Sequence, residues 1–597
     1  MAAQLRHRGP DEVGFWTDRG VGLAHTRLSI IDINGSHQPM ADVRGRRHVV
    51  FNGEIFNYRE IRKDVAYPYR TAGDTEVLLA LFEKFGPDGV HRLRGQFAYA
   101  LHDSDTGETH LFRDRLGILP LYYYSDSQVF AFASEIKALY PVIRNVAVDT
   151  DSLHDYFAHR GVPAPFTLIR GVRKLPQGHH LVIDADCRYR ISPYWSIPRA
   201  TRSARRRWTP TEATEAVDTA LRAAVRDCLV ADVPVGVYLS GGVDSSVLTA
   251  MAAQEKSGGQ LHTFGAVFGD SRFDEGRWAR EVSDFVGTEH HEVNVKPADF
   301  VDNLGRLSWY RDGPLSEPAD VAVFKVAELA HQYVKVALSG EGSDEIFAGY
   351  PKYLFAGATR WVGSVPSQRI LHTVERALPA NQVRIRTATR VIAESSYQER
   401  LRAWFAPFTA QERDRLVGRR RVRPAPAAFL DSRGDSLDTM LFADTVVLLP
   451  DNLLERGDRM SMAASLEVRP PFADHRLVEL AFALPNSVKI RGQTTKWVLK
   501  EVARRYLPSG IVDRPKVGFR VPLDQWFRND LRSVAFDMLT STSSYARNNL
   551  DSTLVTRILT DHVSGRREEE WRIWTLLSLE FWYQELVARL GGAQGVS

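Results

Sequence analysis

The sequence has 597 residues, of which 44% are hydrophobic, so we expect two to four domains with enough apolar residues to fill their cores. Lys and Arg number 77 against 73 Asp and Glu, and this even balance argues against a nucleic-acid or membrane partner. Only two cysteines occur, and neither a signal-peptide core nor 18 consecutive apolar residues are found, so a cytoplasmic protein is predicted.

The first 195 or so residues predict a β-rich domain. Runs of β-branched and aromatic residues, broken by Gly, Asn and Asp, are typical of short antiparallel strands in a layered core. These runs are RHVVFNGEIFNY, FAYALHD, THLFRDR, PLYYYS and VFAFAS. The basic segment RATRSARRRWTP has no apolar periodicity, which predicts a solvated linker over 198–210.

A helix is predicted directly after the linker. Thr209 can cap it, Pro210 suits its first turn, and Glu212 stands at the reciprocal position of a capping box. Apolar residues from Ala213 to Cys228 recur on one face, so Cys228 is expected to pack in the core.

Two strand, loop and helix units follow, one in VPVGVYLSGGVDSS and one in VKVALSGEGSDE. Near-continuous apolar strands that each lead through a Gly-rich turn into a helix predict an α/β fold with a parallel sheet. Beyond about residue 360, Leu, Ala and Arg at helical spacing predict a largely helical part.

The first Gly-rich turn, at residues 240–246, predicts a phosphate site. Gly241 and Gly242 let the backbone approach an anion, and the helix that follows adds a favourable dipole. Asp244 beside phosphate implies Mg²⁺, since the carboxylate would otherwise repel it. No GKT or GKS follows, which argues against transfer of the γ-phosphate.

The second turn, at residues 339–345, places Glu341, Asp344 and Glu345 beside glycines at the end of an apolar strand. Alone it would be an ordinary turn. Paired with the first turn, its acidic groups suit metal coordination at a centre where an acid is adenylylated.

Four stretches in this order resemble the glutamine-dependent asparagine synthetases: SGGVDSS, LSGEGSDEIFAGYPKY, LPDNLLERGDRMSMAASLEVRPPF and RPKVGF. The resemblance implies a synthetase domain at 211–597 that uses ATP to activate the side-chain carboxylate of aspartate as an acyl-adenylate. Ammonia then displaces AMP to give asparagine. Such activation is needed because a carboxylate is a poor electrophile.

The resemblance also assigns roles within this half. The residues it implies for ATP are Leu239, Ser240, Gly241, Gly242, Asp244, Ser245, Ala266, Ser339 and Gly340. Asp244 and Asp344 would hold Mg²⁺ on the pyrophosphate, Glu341 would assist formation of the adenylate, and Lys496 would neutralise the departing group.

Two further stretches contain residues expected near the active site. Asp274 and Glu275 of RFDEG are expected to face the nucleotide region. In ERGDRMSMAASLEVRPPF, Met460, Met462 and Leu466 form an apolar stripe at helical spacing, which predicts that their side chains pack in the hydrophobic core. Its charged members need partners and are expected around the aspartate pocket, namely Arg456, Asp458, Arg459, Glu467 and Arg469. The family pattern RVPF is replaced by RPPF, and Pro470 is expected to push the backbone of Arg469 out of the helical region.

RHRGPD, RLSIID, FNGEIFNY, AGDTE and RDRLGILPLYY resemble the amino-terminal nucleophile glutaminase domain of the same family, an αββα fold, here at 1–197. The resemblance implies that Asn52 and Gly53 supply oxyanion donors. The residues it assigns to glutamine are Arg27, Leu28, Ser29, Ile30, Ile31, Asn52, Gly53, Glu54 and Asp74. Leu119 departs from the family, where Lys is common.

Glutaminases of this type attack with an amino-terminal cysteine. Here Met1-Ala2-Ala3 directly precedes the Leu-x-His-Arg-Gly-Pro-Asp element. The domain is therefore expected to be truncated at its start and the glutaminase half inactive as written. Two explanations stay open: a misplaced start codon, favoured by retention of the other glutamine-pocket elements, or a lost glutaminase whose enzyme uses free ammonia.

Three functions are compatible with these residues. The leading one is ATP-dependent amide formation on aspartate, with glutamine or ammonia as nitrogen donor. The second is an enzyme of specialised metabolism that amidates or cyclises another carboxylate on the same fold. The third is a regulatory protein that binds glutamine or ATP without turnover. Oligomeric state stays open, with a homodimer as one option.

Overall fold

The computed structural model describes residues 1–18, 20–198, 208–256, 258–268, 275–356, 383–394, 396–421, 423, 426, 436–514 and 521–591. Most of the expected linker, Asp274 and all of RPKVGF after Arg514 lie outside these residues. No helix in the described ranges has the length and hydropathy needed to cross a bilayer.

The amino-terminal part forms three antiparallel sheets. Six strands pair in the order β11-β10-β6-β5-β4-β3, three in the order β8-β7-β9, and β1 pairs with β2. All five predicted strand runs are confirmed. The strands are β1 (Glu12–Asp18), β2 (Val21–Arg27), β3 (Met40–Ala41), β4 (Arg47–Ile55), β5 (Gly95–Asp103), β6 (Glu108–Arg113), β7 (Tyr122–Ser125), β8 (Phe130–Ala133), β9 (Val172–Lys174), β10 (His179–Ile183) and β11 (Tyr189–Pro193).

Helices cover both outer faces of these sheets. The helices are α1 (Tyr58–Asp64), α2 (Glu76–Phe85) and α3 (Thr150–His159). The apolar faces of α1 and α2 share one core with alternate residues of β4 and β5, while the other face of this sheet packs on Tyr123 of β7. On the far side, Tyr156 and Phe157 of α3 share a core with Tyr122 and Val172. The four layers confirm the expected αββα arrangement.

The carboxy-terminal part contains the predicted parallel sheet, in the order β14-β13-β12-β15-β16. Strand β12 lies within the VPVGVYL segment, and its side chains are mostly buried because helices cover both faces of the sheet. The strands are β12 (Val235–Tyr238), β13 (His262–Val267), β14 (Glu289–Asn294), β15 (Val336–Leu338) and β16 (Glu467–Arg469).

The rest of this part is largely helical, as predicted, and α4 begins with the expected capping box between Thr209 and Glu212. Cys228 is 4% exposed in the core. The helices are α4 (Pro210–Cys228), α5 (Val243–Glu255), α6 (Gly276–Val286), α7 (Pro297–Arg311), α8 (Ala319–Ala330), α9 (Ser343–Phe347), α10 (Val383–Ala393), α11 (Tyr397–Ala403), α12 (Ala410–Val417), α13 (Ser436–Ala443), a π-helix (Asp444–Leu454), α14 (Glu455–Met462), α15 (His475–Ala483), α16 (Asn486–Lys489), α17 (Trp497–Ala503), α18 (Ser509–Val512), α19 (Leu523–Arg528), α20 (Arg532–Thr540), α21 (Tyr545–Asn549), α22 (Ser552–Val563) and α23 (Glu570–Arg589).

Buried ion pairs join the two parts of the chain. Arg8 lies 2.7 Å from Asp458 and 3.0 Å from Glu135, and Arg459 lies 2.8 Å from Glu135. Asp458 and Arg459 therefore contact the first domain, and Arg459 also lies 3.1 Å from Asp312 of the carboxy-terminal part. We call this group the interface network: Arg8, Glu135, Lys137, Asp312, Asp458 and Arg459.

Candidate active site

The sheet topology brings the two Gly-rich turns together. Strands β12 and β15 are parallel neighbours, with Val237 opposite Leu338, so both turns leave the same edge of the sheet. The first turn leads into α5 and the second into α9. Ligand sites of open α/β sheets lie at this edge, outside the carboxyl ends of the strands.

The first turn requires glycine for two reasons. Gly241 has φ +69°, and a Cβ there would lie 2.6 Å from backbone atoms of Trp278 and Ala279 on α6. Ser240 Oγ accepts from the Gly242 N–H at 3.3 Å and lies 3.2 Å from Ser245 Oγ. The turn is thereby held open at the amino end of α5, where backbone N–H groups favour an anion.

Lys496 connects the two turns. Its Nζ lies 2.7 Å from both carboxylate oxygens of Asp244, 2.8 Å from Oδ1 of Asp344 and 2.8 Å from Ser343 Oγ. Burial alone would lower the pKa of Lys496, but the two carboxylates outweigh it, and the net pKa is raised. The site therefore holds one ammonium between two carboxylates that come from different turns.

A cavity of about 380 Å³ opens beside these groups. It is lined by most of the residues that the sequence predicted for nucleotide binding and catalysis: Leu239, Ser240, Asp244, Ser245, Ala266, Ser339, Gly340, Glu341 and Asp344. Gly241, Gly242 and Lys496 do not line it. Gly241 and Gly242 shape the first turn, and Lys496 holds two of the lining carboxylates. Glu275 also lines the cavity and lies 2.9 Å from Arg514.

One wall of this cavity is formed by Arg456 and two carboxylates, Glu341 and Glu317. Its guanidinium lies 2.7 Å from Glu341 and 2.9 Å from Glu317, and Glu317 also lies 3.3 Å from Arg160. Burial would lower the pKa of Arg456, but Glu341 and Glu317 outweigh it and raise the pKa. Glu317 and Arg160 were missed from sequence; the acidic residue in SEPAD, ahead of α8, was the available signal.

Glu345, another acid of the cavity wall, has a raised pKa. Burial and the neighbouring Asp344 raise the pKa of Glu345 to about 7, and the Tyr350 hydroxyl donates to its Oε1 at 2.6 Å. Both Glu345 and Tyr350 line the cavity. A carboxyl group in this range can accept or release a proton at the pH of catalysis.

A separate pocket of about 110 Å³ is lined mainly by the αββα part, with Asp458, Met462 and Glu467 contributed by the carboxy-terminal part. It is lined by nearly all residues predicted for glutamine: Arg27, Leu28, Ile30, Ile31, Asn52, Gly53, Glu54 and Asp74. Ser29 does not line it; its N–H donates to Asp11 at 2.8 Å. Leu119 is part of the wall, and neither Cys187, which is exposed, nor Cys228, which is buried, belongs to it.

Asn52 and Gly53 have the features expected of anion donors. The buried Asn52 Nδ2 has no hydrogen-bond partner among the described residues. Gly53 has φ +131°, and a Cβ there would lie 2.1 Å from the Gln96 carbonyl oxygen, so only glycine fits. The Asn52 amide can therefore donate to a ligand that enters the pocket, and Gly53 lines the same pocket.

The acids of this pocket hold protons more tightly than usual. Burial raises the pKa of Asp74 to about 6, even though its carboxylate accepts from the Ile55 N–H at 2.9 Å. Burial, followed by the charge of Asp74, raises the pKa of Glu54 well above its ordinary value. A cationic group of a ligand would favour the ionised forms.

Strand β16 connects the two sites. Arg469 lies 3.4 Å from Glu54 and 2.7 Å from Glu467, and its carbonyl oxygen accepts from the Ser339 N–H at 3.0 Å. Glu467 also accepts from Gln96 at 3.3 Å. Of the five charged residues expected around the acceptor, only Arg456 lines the cavity, and Glu467 and Arg469 instead bridge the glutamine pocket and the second turn.

Two sites of this kind in one chain define a class of protein: ATP-dependent ligases that carry a glutamine amidotransferase domain. Residues 1–195 match the family model of the glutamine amidotransferase domain, and residues 216–584 match that of asparagine synthase. The chain belongs to the asparagine synthase family.

Three relatives illustrate its place in the family. Asparagine synthetase [glutamine-hydrolyzing] 1 of Bacillus subtilis (strain 168) is 29% identical, over 98% of this chain and 92% of its own. The putative asparagine synthetase [glutamine-hydrolyzing] of Mycobacterium tuberculosis (strain ATCC 25618 / H37Rv) is 34% identical, over 97% of this chain and 92% of its own. Amidase chry2 of Gibberella zeae is 28% identical, over 90% of this chain and 87% of its own.

Proposed function

We propose that this chain converts aspartate to asparagine, with ATP cleaved to AMP and pyrophosphate. The aspartate side-chain carboxylate attacks the α-phosphorus of ATP and pyrophosphate leaves. Ammonia then attacks the acyl carbon and AMP leaves. The observation that carries this proposal is the convergence of Asp244 and Asp344, from two different turns, on Lys496 beside a nucleotide-sized cavity.

The roles on the nucleotide side follow from position and chemistry. The backbone at Leu239 and Ala266 would flank the adenine, and Ser339 and Gly340 would close over the nucleotide. The turn of Ser240, Gly241, Gly242 and Ser245 would bind phosphate oxygens through N–H groups and hydroxyls. The Lys496 ammonium would offset the negative charge that develops on the departing pyrophosphate.

Glu341 and Arg456 would act at the carboxylate acceptor. The Arg456 guanidinium is held between Glu341 and Glu317, which fixes its direction before any ligand arrives. A pre-positioned cation can orient a carboxylate for attack without reorganisation. Glu341, in contact with this cation and on the cavity wall, would assist formation of the adenylate.

Asp244 and Asp344 fit the donor set of a Mg²⁺ site, because two carboxylates from different turns line the same cavity and are held close together by their shared partner Lys496. Mg²⁺ is bound in such enzymes by one or two carboxylates together with substrate phosphates. When bound, it would neutralise phosphate charge. The two carboxylates would then share their charge between the metal and the Lys496 ammonium.

The nitrogen would come from glutamine bound in the αββα pocket or from free ammonia. Arg27 supports this role because it donates to the carbonyl oxygens of Ile31, Asp32 and Ile33 and so shapes the pocket loop. Asp74 and Glu54 would face the α-ammonium of glutamine. Asn52 and Gly53 would stabilise an oxyanion.

We also propose domain limits of 1–197 and 211–597 with a linker between them, a cytoplasmic location, and small molecules as the partners, with a homodimer as one option. The even balance of acidic and basic residues supports the absence of nucleic-acid and membrane partners.

The test is pyrophosphate release from Mg²⁺-ATP with L-aspartate and ammonium, with AMP and asparagine measured in the same samples. We expect equimolar AMP, pyrophosphate and asparagine. A parallel reaction with glutamine in place of ammonium tests the αββα pocket as nitrogen source. Glu341→Gln is expected to lose activity, whereas Glu328→Gln, an exposed acid of α8 paired with Arg306, is expected to retain it.

The amidase-named relative favours a second candidate, a synthetase of another carboxylate. Pyrophosphate release with another acid and none with aspartate would replace the first function by this one. No exchange of labelled pyrophosphate into ATP with any carboxylate would refute an enzymatic role.

A further inference from the structure

A cluster of potential metal ligands lies on the parallel sheet, and none of its members lines either pocket described above. His262 begins β13 and Glu289 begins β14, and these two residues are opposite each other in the parallel register. His291 follows Glu289 by two positions, so it points to the same face of the sheet. The register therefore gathers two imidazoles and a carboxylate at one corner.

The distances within the cluster suit a tetrahedral metal ion. His262 Nδ1 lies 3.2 Å from His291 Nε2 and 3.5 Å from one oxygen of Glu289, whose other oxygen lies 3.6 Å from His291 Nε2. A tetrahedral ion with ligands at about 2.0–2.2 Å separates neighbouring ligand atoms by about 3.3–3.6 Å. All three ligand pairs are close to that range.

The surroundings hold the rings in place and leave one side open. Tyr333 stacks on His291 with ring centres 4.0 Å apart, and Phe264 lies 5.3 Å from the same ring. The Glu289 side chain is 48% exposed, against 14% for His291.

A second group in the described residues, Asp524, His562 and Glu570, has a similar composition but a different geometry. His562 Nδ1 accepts from the Glu569 N–H at 3.1 Å, and Nε2 lies 3.3 Å from the Asp524 carbonyl oxygen. Both ring nitrogens are thus engaged by backbone groups. This contrast singles out the cluster on β13 and β14.

We propose that His262, Glu289 and His291 bind one divalent transition-metal ion of the Zn²⁺ class, with water as the fourth ligand. The ion ties the start of the edge strand β14 to β13. This corner lies at the amino ends of the strands, and Phe264, which packs against the His291 ring, lies between it and the nucleotide cavity that Phe264 also lines. Two imidazoles and one carboxylate favour such an ion over Mg²⁺, which prefers oxygen ligands.

The test is calorimetric titration of the chelator-treated full chain with ZnCl₂, without nucleotide. We expect one equivalent of Zn²⁺ to bind and the thermal midpoint to rise on binding. His262→Ala and His291→Ala are each expected to weaken this binding by at least about 100-fold, since even outer residues of metal sites change affinity by 10–100-fold. Titration with MgCl₂ is expected to give no binding that depends on these residues.

His37→Ala is the matched control, because His37 also contacts a carboxylate, Glu12 at 2.7 Å, but without a second imidazole. It is expected to bind Zn²⁺ like the wild type. Titration with CoCl₂ adds a spectroscopic readout, since four-coordinate Co²⁺ absorbs far more strongly in the visible than six-coordinate Co²⁺. Equal binding in wild type and both histidine variants, or no binding by the wild type, would overturn the proposal.

Discussion

Replacing Asp74 by Asn is expected to stabilise the glutamine pocket at neutral pH. Asp74 is 4% exposed, and burial raises its pKa from 3.8 to about 6. Asn has no charge to desolvate, and its Oδ1 can still accept the hydrogen bond that Asp74 receives from the Ile55 N–H. The variant therefore removes a cost of ionisation while keeping the local contact.

The sign and size follow from linkage. Because the folded-state pKa is raised, the folded protein binds more protons than the unfolded chain between about pH 4 and pH 6, and stability falls as pH rises through this window. The rise of the pKa from 3.8 to about 6, at about 1.36 kcal/mol for each pH unit, lowers the free energy of unfolding by about 3 kcal/mol once Asp74 is ionised. Asp74→Asn should therefore raise the free energy of unfolding by this amount above pH 6 and leave it unchanged below pH 4.

Amide hydrogen exchange of β4, which contains Ile55, measures this effect locally, since a multidomain chain need not unfold in one step. At pH 7.5 we expect protection in the variant to rise by up to about 100-fold. Equal protection at pH 7.5, or a gain that persists at pH 4, would refute the reasoning.

The control for this prediction is Asp103→Asn, which is expected to behave oppositely. Burial alone would raise the pKa of Asp103, but the hydrogen bond and charge of Arg47, together with hydrogen bonds from the backbone at Asp105 and Thr106, outweigh it, and the net pKa is lowered. A lowered pKa contributes stability that is present above the unfolded pKa and is lost on acidification. The Asn variant should therefore reduce protection at pH 7.5.

Three further predictions concern the nucleotide site. Gly241→Ala should weaken ATP binding in a pyrophosphate-exchange assay by about 1–3 kcal/mol, because φ is +69° and the new Cβ meets the backbone of α6 at 2.6 Å. Lys496→Met should lower the rate of adenylation by about 10²–10³-fold and strengthen Mg²⁺ binding without ATP, measured by calorimetry, since two carboxylates lose their cation. Arg456→Lys should raise KM for the acceptor, since one ammonium cannot reproduce the planar fork.

Each of these has a matched control. Gly258→Ala also acts at a positive φ, but its new Cβ meets no atom within 4 Å, and ATP binding should be unchanged. Lys500→Met, one turn further along α17, and Arg306→Lys, in an exposed pair, should leave activity near wild type. An effect in a control as large as in its partner variant, or an unchanged partner variant, would contradict the assignment.

Features that depend on residues close together in the sequence were predictable. The strands of the αββα part follow from β-branched and aromatic runs, and the start of α4 from the pairing of Thr209 and Glu212 three positions apart. The two Gly-rich turns were assigned to one site because parallel strands present their carboxyl ends on the same edge.

Partners distant in the sequence were not predictable. Glu317 lies 139 positions from Arg456, and no local pattern joins them. Arg469 was expected near the acceptor, yet its side chain contacts Glu54 of the other half. The substitution at Pro470 leaves the strand intact, because Arg469 is the last residue of β16 and a strand already has the extended backbone that proline requires before it.

The interface network restricts how this molecule can be divided or recombined. Its cations and anions are drawn from both halves, so cutting the chain at the linker would leave Arg8 without Asp458 and Arg459 without Glu135. Each separated piece would keep its internal pairs, Arg8 with Glu135 and Arg459 with Asp312, but would lose the pairs that cross between the halves. In the intact chain, removing one partner of such a buried pair commonly costs about 3–5 kcal/mol. A chimera that takes one half from a relative should therefore fold only when both sides of this charge set are exchanged together.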